Sequence, residues 1–164
     1  MRAQTREYLE RFLKEHKGIK KILDIGSYEA GGGNIRDIVA DYDYLGIDMR
    51  EGPGVDRVIN GHDLKEHFKE GEFDLVLCFD TFEHDDAWWE TLENMKWVTK
   101  KGGWMMIGAP SRHCPEHDHP HDFWRFMPQA FNVWFKDFKN AEVIVDKNEQ
   151  SQMEDEVYGW GQKA

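Results

Sequence analysis

The stretch from Lys21 to Asp48, KILDIGSYEAGGGNIRDIVADYDYLGID, constrains this chain most. An apolar run, Ile22 to Ile25, ends in Gly26. A turn rich in glycine follows, with Gly31, Gly32 and Gly33. A helical pattern comes next, with Ile35, Ile38 and Val39 on one face. A second apolar run, Tyr44 to Ile47, ends in Asp48. Strand, glycine turn, helix and strand with an acid at the second strand's tip is the plan of a unit that binds nucleoside-containing cofactors. Glycines let the backbone approach a ligand closely, and an ionised carboxylate accepts both hydroxyl protons of a ribose. A plain βαβ unit whose glycines serve only the turn is the alternative.

Apolar runs and helical periodicities alternate along the rest of the chain. Residues 5–16 read as an amphipathic helix with Tyr8, Leu9, Phe12 and Leu13 on one face, Thr5 as its cap and Gly18 at its end. Such a helix either packs on a sheet or covers a cofactor. Gly52, Pro53 and Gly54 mark a turn, Val55 to Ile59 a short strand, and Leu64 to Phe68 a helical turn. Phe73 to Phe79, FDLVLCF, is the pattern of a strand buried on both faces. A helix is predicted from about Asp85 to Thr99, ended by Gly102 and Gly103, and a strand over Trp104 to Ala109. Pro128 opens a last helix whose apolar face runs to Phe138. Ala141 to Val145 and Val157 to Trp160 read as strands that form an antiparallel edge pair.

The alternation implies an open, mostly parallel sheet with helices on both faces. In such sheets ligands bind beyond the carboxyl ends of the strands. Gly26 with Ser27, Asp48, Asp63, and Asp80 to His84 all fall at those ends. Asp63 either accepts a proton from an exocyclic amine or caps the short helix, while Leu64 beside it presses on a flat ring.

At 164 residues, with no linker or repeat, one domain spanning 1–164 is expected, residues 1–18 supplying an N-terminal helix. A net charge of −11 disfavours nucleic acid and anionic membrane as partners and favours a small or neutral substrate. Cys78 and Cys114 are the two cysteines, too few for a disulfide framework. No stretch is long and apolar enough to span a membrane, and the charged start MRAQTREYLERF is no signal peptide. A cytoplasmic protein, monomer or homodimer, is expected; seven tryptophans serve the core, the pocket or an interface.

Ser111 to Pro128, SRHCPEHDHPHDFWRFMP, is the least ordinary segment. His113, His117, His119, His121 and Cys114 have ligand chemistry, but their spacing matches no standard zinc pattern, and no metal is assigned. Asp122, Trp124 and Arg125 are the substrate candidates, combining charge and a flat ring. The plainer alternative is a structural loop in which Arg125 pairs with an acid.

These segments together resemble the class I S-adenosylmethionine-dependent methyltransferases over about Ile19 to Gly161. ILDIGSYEAGGGNIR is similar to the family's first motif in a variant reading D-x-G-S, with Tyr28 and Ala30 where later glycines commonly stand. The resemblance sets Asp24, Gly26, Ser27 and Tyr28 around the cofactor. YLGIDMR resembles the second motif, making Asp48 the ribose-binding acid and setting Met49 beside the adenine. HDL implies that Asp63 meets the adenine amine with Leu64 on the ring. FDLVLCFDTFEH resembles the fourth-strand motif, in which Phe79 and Asp80 line the methionine end. VTKKGGWMMIGAP, HPHDFWRFMP and VYGWGQK resemble later family segments. The implied fold is Rossmann-like, a mostly parallel seven-stranded sheet with an antiparallel last strand.

The implied reaction is methyl transfer from S-adenosylmethionine to a small-molecule acceptor, leaving S-adenosylhomocysteine. The sulfonium carries the activation, so the protein chiefly positions and desolvates. An oxygen or nitrogen acceptor can also call on a base. His84 and His119 are the catalytic candidates, oriented by Glu83 and Asp122. A non-catalytic protein that binds S-adenosylmethionine or S-adenosylhomocysteine is the second reading. A nicotinamide-dependent enzyme is the third, disfavoured by the departures from G-x-G-x-x-G.

Overall fold

A computed structural model describes residues 3–29, 35–117, 120–147 and 154–164. Helix α1 (Ala3–Glu15) precedes β1 (Lys21–Ile25). Strands β2 (Asp43–Asp48) and β3 (Arg57–Val58) follow, then a 3-10 turn (Gly61–Asp63) leading into α2 (Leu64–His67). Next come β4 (Phe73–Phe79), a second 3-10 turn (Phe82–His84), α3 (Trp88–Val98), β5 (Thr99–Pro110) and α4 (Pro128–Trp134). The last elements are β6 (Phe138–Lys147) and β7 (Glu154–Lys163).

The strands form one seven-stranded sheet in the order β3-β2-β1-β4-β5-β7-β6. Pairing is parallel from β3 through β5, and β7 runs antiparallel to both its neighbours. The expected antiparallel pair is present, with β7 lying inside the sheet rather than at its edge. After β1 the chain winds outward to β2 and β3, then returns to lay β4 on the other side of β1. That reversal opens a crevice at the strands' carboxyl ends.

Alternation divides the core in two. Leu75 and Leu77 of β4 join Trp104 and Met106 of β5 on one face, beneath Leu9, Phe12 and Leu13 of α1. Val76 and Cys78 join Met105, Ile107 and Ala109 on the other, beneath Leu92, Met95 and Val98 of α3 and Phe131 and Trp134 of α4. Each such aliphatic side chain contributes roughly 1.5–3 kcal/mol by leaving water.

Helix α1 covers the sheet, with Phe12 against Trp104 and Trp160 at ring distances of 5.3 and 5.9 Å. It is a packing helix and not a lid. Thr5 lies inside it instead of capping it, fully buried, its hydroxyl 2.8 Å from that of Tyr158. The helix predicted around Ile35 is a single turn closed by the Val39 N–H on the Ile35 carbonyl, 3.1 Å. Ile35 and Val39 are still buried on one face, as the pattern requires. Gly102 and Gly103 belong to β5, and α3 ends earlier, where the Thr99 hydroxyl donates to the Met95 carbonyl at 2.7 Å. Phe138 opens β6, opposite Lys163, rather than ending α4. Among the described residues no helix is long and apolar enough to cross a membrane.

Candidate active site

The exit of β1 is shaped by Gly26. Its φ of +80° favours glycine, and a Cβ there would lie 1.9 Å from Thr81 Oγ1. The Gly26 and Ser27 N–H groups both donate to the Ile47 carbonyl, at 2.9 and 3.0 Å, which ties the β1 end to β2. The three glycines Gly31, Gly32 and Gly33 lie outside the described residues.

Asp24 is buried beneath this turn and accepts a hydrogen bond from the Tyr44 hydroxyl at 2.7 Å. Burial pushes its carboxyl up to about 7, against the opposing pull of Tyr44 and Arg36. Arg36 in turn pairs with Asp56 at 2.8 Å and donates to the Gly54 carbonyl at 2.9 Å. Its guanidinium lies 5.0 Å from the Tyr44 ring centroid.

Asp48 closes β2 and is buried, one carboxylate oxygen accepting the Arg50 N–H at 2.9 Å. Arg50 folds its guanidinium over Tyr28, 4.6 Å from the ring centroid. Met49 beside it is 67 % exposed, an unusual position for a thioether.

After β3 the structure departs from expectation. Asn60, Gly61 and His62 line the cavity, whereas Asp63 faces solvent and Leu64 is fully buried in the core. The turn is fixed from both sides. The Asn60 side chain accepts the His62 N–H at 3.1 Å, and the Asn94 amide donates to the carbonyls of Gly61 and His62 at 3.0 and 2.7 Å. His62 Nε2 lies 2.8 Å from Asp85 Oδ1, and Asp85 also accepts from Thr91 at 2.6 Å. Asp63 and Leu64 are therefore not wall residues. Asn60 was detectable as a cap-forming side chain after a strand; the Asp85 knot was not, because it joins distant segments.

At the end of β4, Phe79 and Asp80 line the cavity. Asp80 holds a φ of +48°, with its N–H on the Gly108 carbonyl at 3.1 Å. Such a conformation in a non-glycine residue marks a constrained position. Phe82 then plunges into the core beside Trp134, ring centroids 5.6 Å apart. That turns Glu83 inward to full burial and leaves His84 on the cavity wall.

The loop after β5 is organised by Asp122 and Arg125. Their two-pronged ion pair spans 2.5 and 2.6 Å, and Asp122 also accepts the His117 N–H at 2.8 Å. The guanidinium holds the Asp122 carboxyl down to about 2. Arg125 further donates to the carbonyls of Cys114 and Pro115 at 3.0 and 2.8 Å. Trp124 donates to the Asp85 carbonyl at 3.0 Å. Asp122, Trp124 and Arg125 do not line the cavity. They tie the loop, which corrects the expectation that they face substrate. His119 lies outside the described residues. From this loop His117, Pro120, His121 and Phe123 reach the wall.

The cavity so formed holds about 570 Å³, within the usual range for small-ligand sites. It gathers Asp24, Gly26, Ser27, Tyr28, Asp48, Met49, Phe79, Asp80 and His84 from the expected set. At one end His84 Nε2 and His117 Nε2 each lie 3.6 Å from Glu83 Oε1.

Comparison with known proteins bears on the family and the fold. A methyltransferase-domain family model matches residues 1–148. Comparison with curated protein sequences finds no match. A SAM-dependent methyltransferase from Archaeoglobus fulgidus superposes with a TM-score of 0.75 at 14 % identity, over 99 % of this chain and 95 % of that one. The N-methyltransferase NodS from Bradyrhizobium japonicum gives 0.70 at 12 % identity, over 98 % and 94 %. The 1,6-didemethyltoxoflavin-N1-methyltransferase from Burkholderia thailandensis, solved with bound 1,6-didemethyltoxoflavin and S-adenosylhomocysteine, gives 0.69 at 12 % identity, over 94 % and 76 %. The structural neighbours share the Rossmann-like fold, and the family match covers most of the chain; the chain belongs to the methyltransferase-domain family.

Proposed function

We propose that this chain, acting as one cytoplasmic domain, transfers the methyl group of S-adenosylmethionine to a small-molecule acceptor. The observation that carries the reading is Asp48, a buried carboxylate at the carboxyl end of β2 on the cavity wall, across from the Gly26 turn. In the proposed binding mode Asp48 takes the ribose hydroxyls and Met49 covers the adenine, with Asn60 to His62 supplying the adenine edge that Asp63 does not reach. Asp24, Gly26, Ser27, Tyr28, Phe79 and Asp80 surround the methionine portion. The acceptor then occupies the end walled by His84, His117, His121 and Phe123.

A lone pair of the acceptor attacks the methyl carbon, the carbon–sulfur bond breaks, and its electron pair returns to sulfur. A neutral oxygen or nitrogen acceptor then passes its proton to solvent water. Orientation of the two reactants supplies the main rate gain, up to roughly 7–11 kcal/mol for well-aligned pairs. His84 is placed for the acceptor side, but its Nε2 faces Glu83, so it works with Glu83 and His117 as a unit.

A small acceptor is supported by the cavity's size and by the net charge of −11, which repels polyanions. Incubation with methyl-labelled S-adenosylmethionine and parallel pools of small metabolites, tRNA and protein tests this. Label is expected in the low-molecular-weight fraction. Label confined to tRNA or protein would overturn the acceptor class.

A further inference from the structure

We propose that Glu83, His84 and His117 form a three-ligand site for a divalent metal of zinc's class, set in the wall of the cavity at the acceptor end. Glu83 is fully buried, and neither carboxylate oxygen has a hydrogen-bond partner among the described residues. A buried carboxylate left so is costly, and its partner is a cation. The two imidazoles supply the geometry. His84 Nδ1 lies 2.5 Å from the His121 carbonyl, and His117 Nδ1 lies 3.2 Å from the Pro115 carbonyl. A carbonyl only accepts, so each Nδ1 carries the hydrogen, and in the neutral ring that a metal requires each Nε2 holds the lone pair. Both Nε2 atoms stand 3.6 Å from the same oxygen, Glu83 Oε1, and one ligand atom from each residue falls within 4.8 Å of the others.

Three candidate ligand atoms are thus gathered within 4.8 Å of one another. Ligand atoms around a tetrahedral zinc, bonded at about 2.0–2.1 Å, sit roughly 3.3 Å apart, so small side-chain shifts close the site. Two imidazoles and a carboxylate are a catalytic zinc set, which keeps a fourth position open. The carbonyls on the two Nδ1 atoms are the outer partners that fix imidazole ligands in place. Histidines 84 and 117 line the cavity while Glu83 lies behind them, so the open position faces the cavity. An oxygen or nitrogen of the acceptor fits there, oriented toward the methyl donor. That last role rests on the methyl-transfer reading; metal binding does not.

The test uses tag-free protein stripped with chelator. Zinc is titrated calorimetrically, and cobalt(II) is added separately to read its visible absorption. The expected result is one equivalent of tight zinc and an intense cobalt band of low-coordinate nitrogen–oxygen geometry. Glu83→Gln and His117→Ala each weaken zinc at least tenfold, while His113→Ala leaves it unchanged; circular dichroism confirms folding. No saturable zinc binding, or binding unaffected by His117→Ala in the folded variant, would overturn the site. S-Adenosylhomocysteine titrated in chelator binds in either case if the cofactor reading stands, so the two failures are distinguishable.

Discussion

The Tyr44 hydroxyl donates to the buried Asp24 carboxylate at 2.7 Å, beneath the Gly26 turn at the end of β1. Burial nevertheless outweighs this hydrogen bond, and the Asp24 carboxyl is pushed up from 3.8 to about 7. The folded state therefore holds a proton that the unfolded chain releases near its ordinary value. This stabilising contribution is complete below about pH 4 and is lost as pH rises to about 7. Asp24→Asn removes the dependence. Urea unfolding at pH 5.5 and 8 should show the variant gaining on the parent by about 1–2 kcal/mol as pH rises. Tyr44→Phe should cost about 1–3 kcal/mol, more at pH 8 than at pH 5.5, because the charged form loses its donor.

Gly26 and Thr81 cannot both keep their places if Gly26 gains a side chain. Gly26→Ala combines a positive φ with a Cβ that would fall 1.9 Å from Thr81 Oγ1. A loss of about 2–4 kcal/mol is expected, from left-handed strain and overpacking together. Adding Thr81→Ala should recover part of that loss and leave the backbone cost. Chemical denaturation of the single and double variants measures both.

Arg125 ties the loop after β5 through Asp122 and the carbonyls of Cys114 and Pro115. Arg125→Met leaves the Asp122 carboxylate, whose side chain is 1 % exposed, without its counter-charge. A destabilisation of about 2–3 kcal/mol is expected, below the usual cost for a fully buried pair because Arg125 is partly solvated. S-Adenosylhomocysteine affinity should change less than threefold at a temperature where the variant is folded.

The strand framework was legible because strands buried on both faces read as unbroken apolar runs, as at Phe73 to Phe79. The positions of the acid at the tip of β2 and of the glycine at the end of β1 were legible because they follow from local backbone geometry. What sequence concealed was set by distant partners. Phe138 continues the apolar period of α4 yet pairs with Lys163 in β6. Asp63 and Asn60 are equally plausible at a strand end, and only the side chain of Asn94, reaching from α3, decides which end of the turn faces the cavity. Asp122 and Arg125 look like pocket residues but satisfy one another, as their spacing allows. Glu83 and His117 meet only because β4 and β5 lie side by side, so no spacing rule joins them.

Calorimetric titration with S-adenosylmethionine and S-adenosylhomocysteine, on the parent and on Asp48→Ala, tests the cofactor site most directly. Micromolar binding of both by the parent is expected, with at least a tenfold loss in the variant, since the proposed ribose contacts of Asp48 are charge-assisted hydrogen bonds. Binding of neither compound, or equal affinity in a folded Asp48→Ala protein, would contradict it.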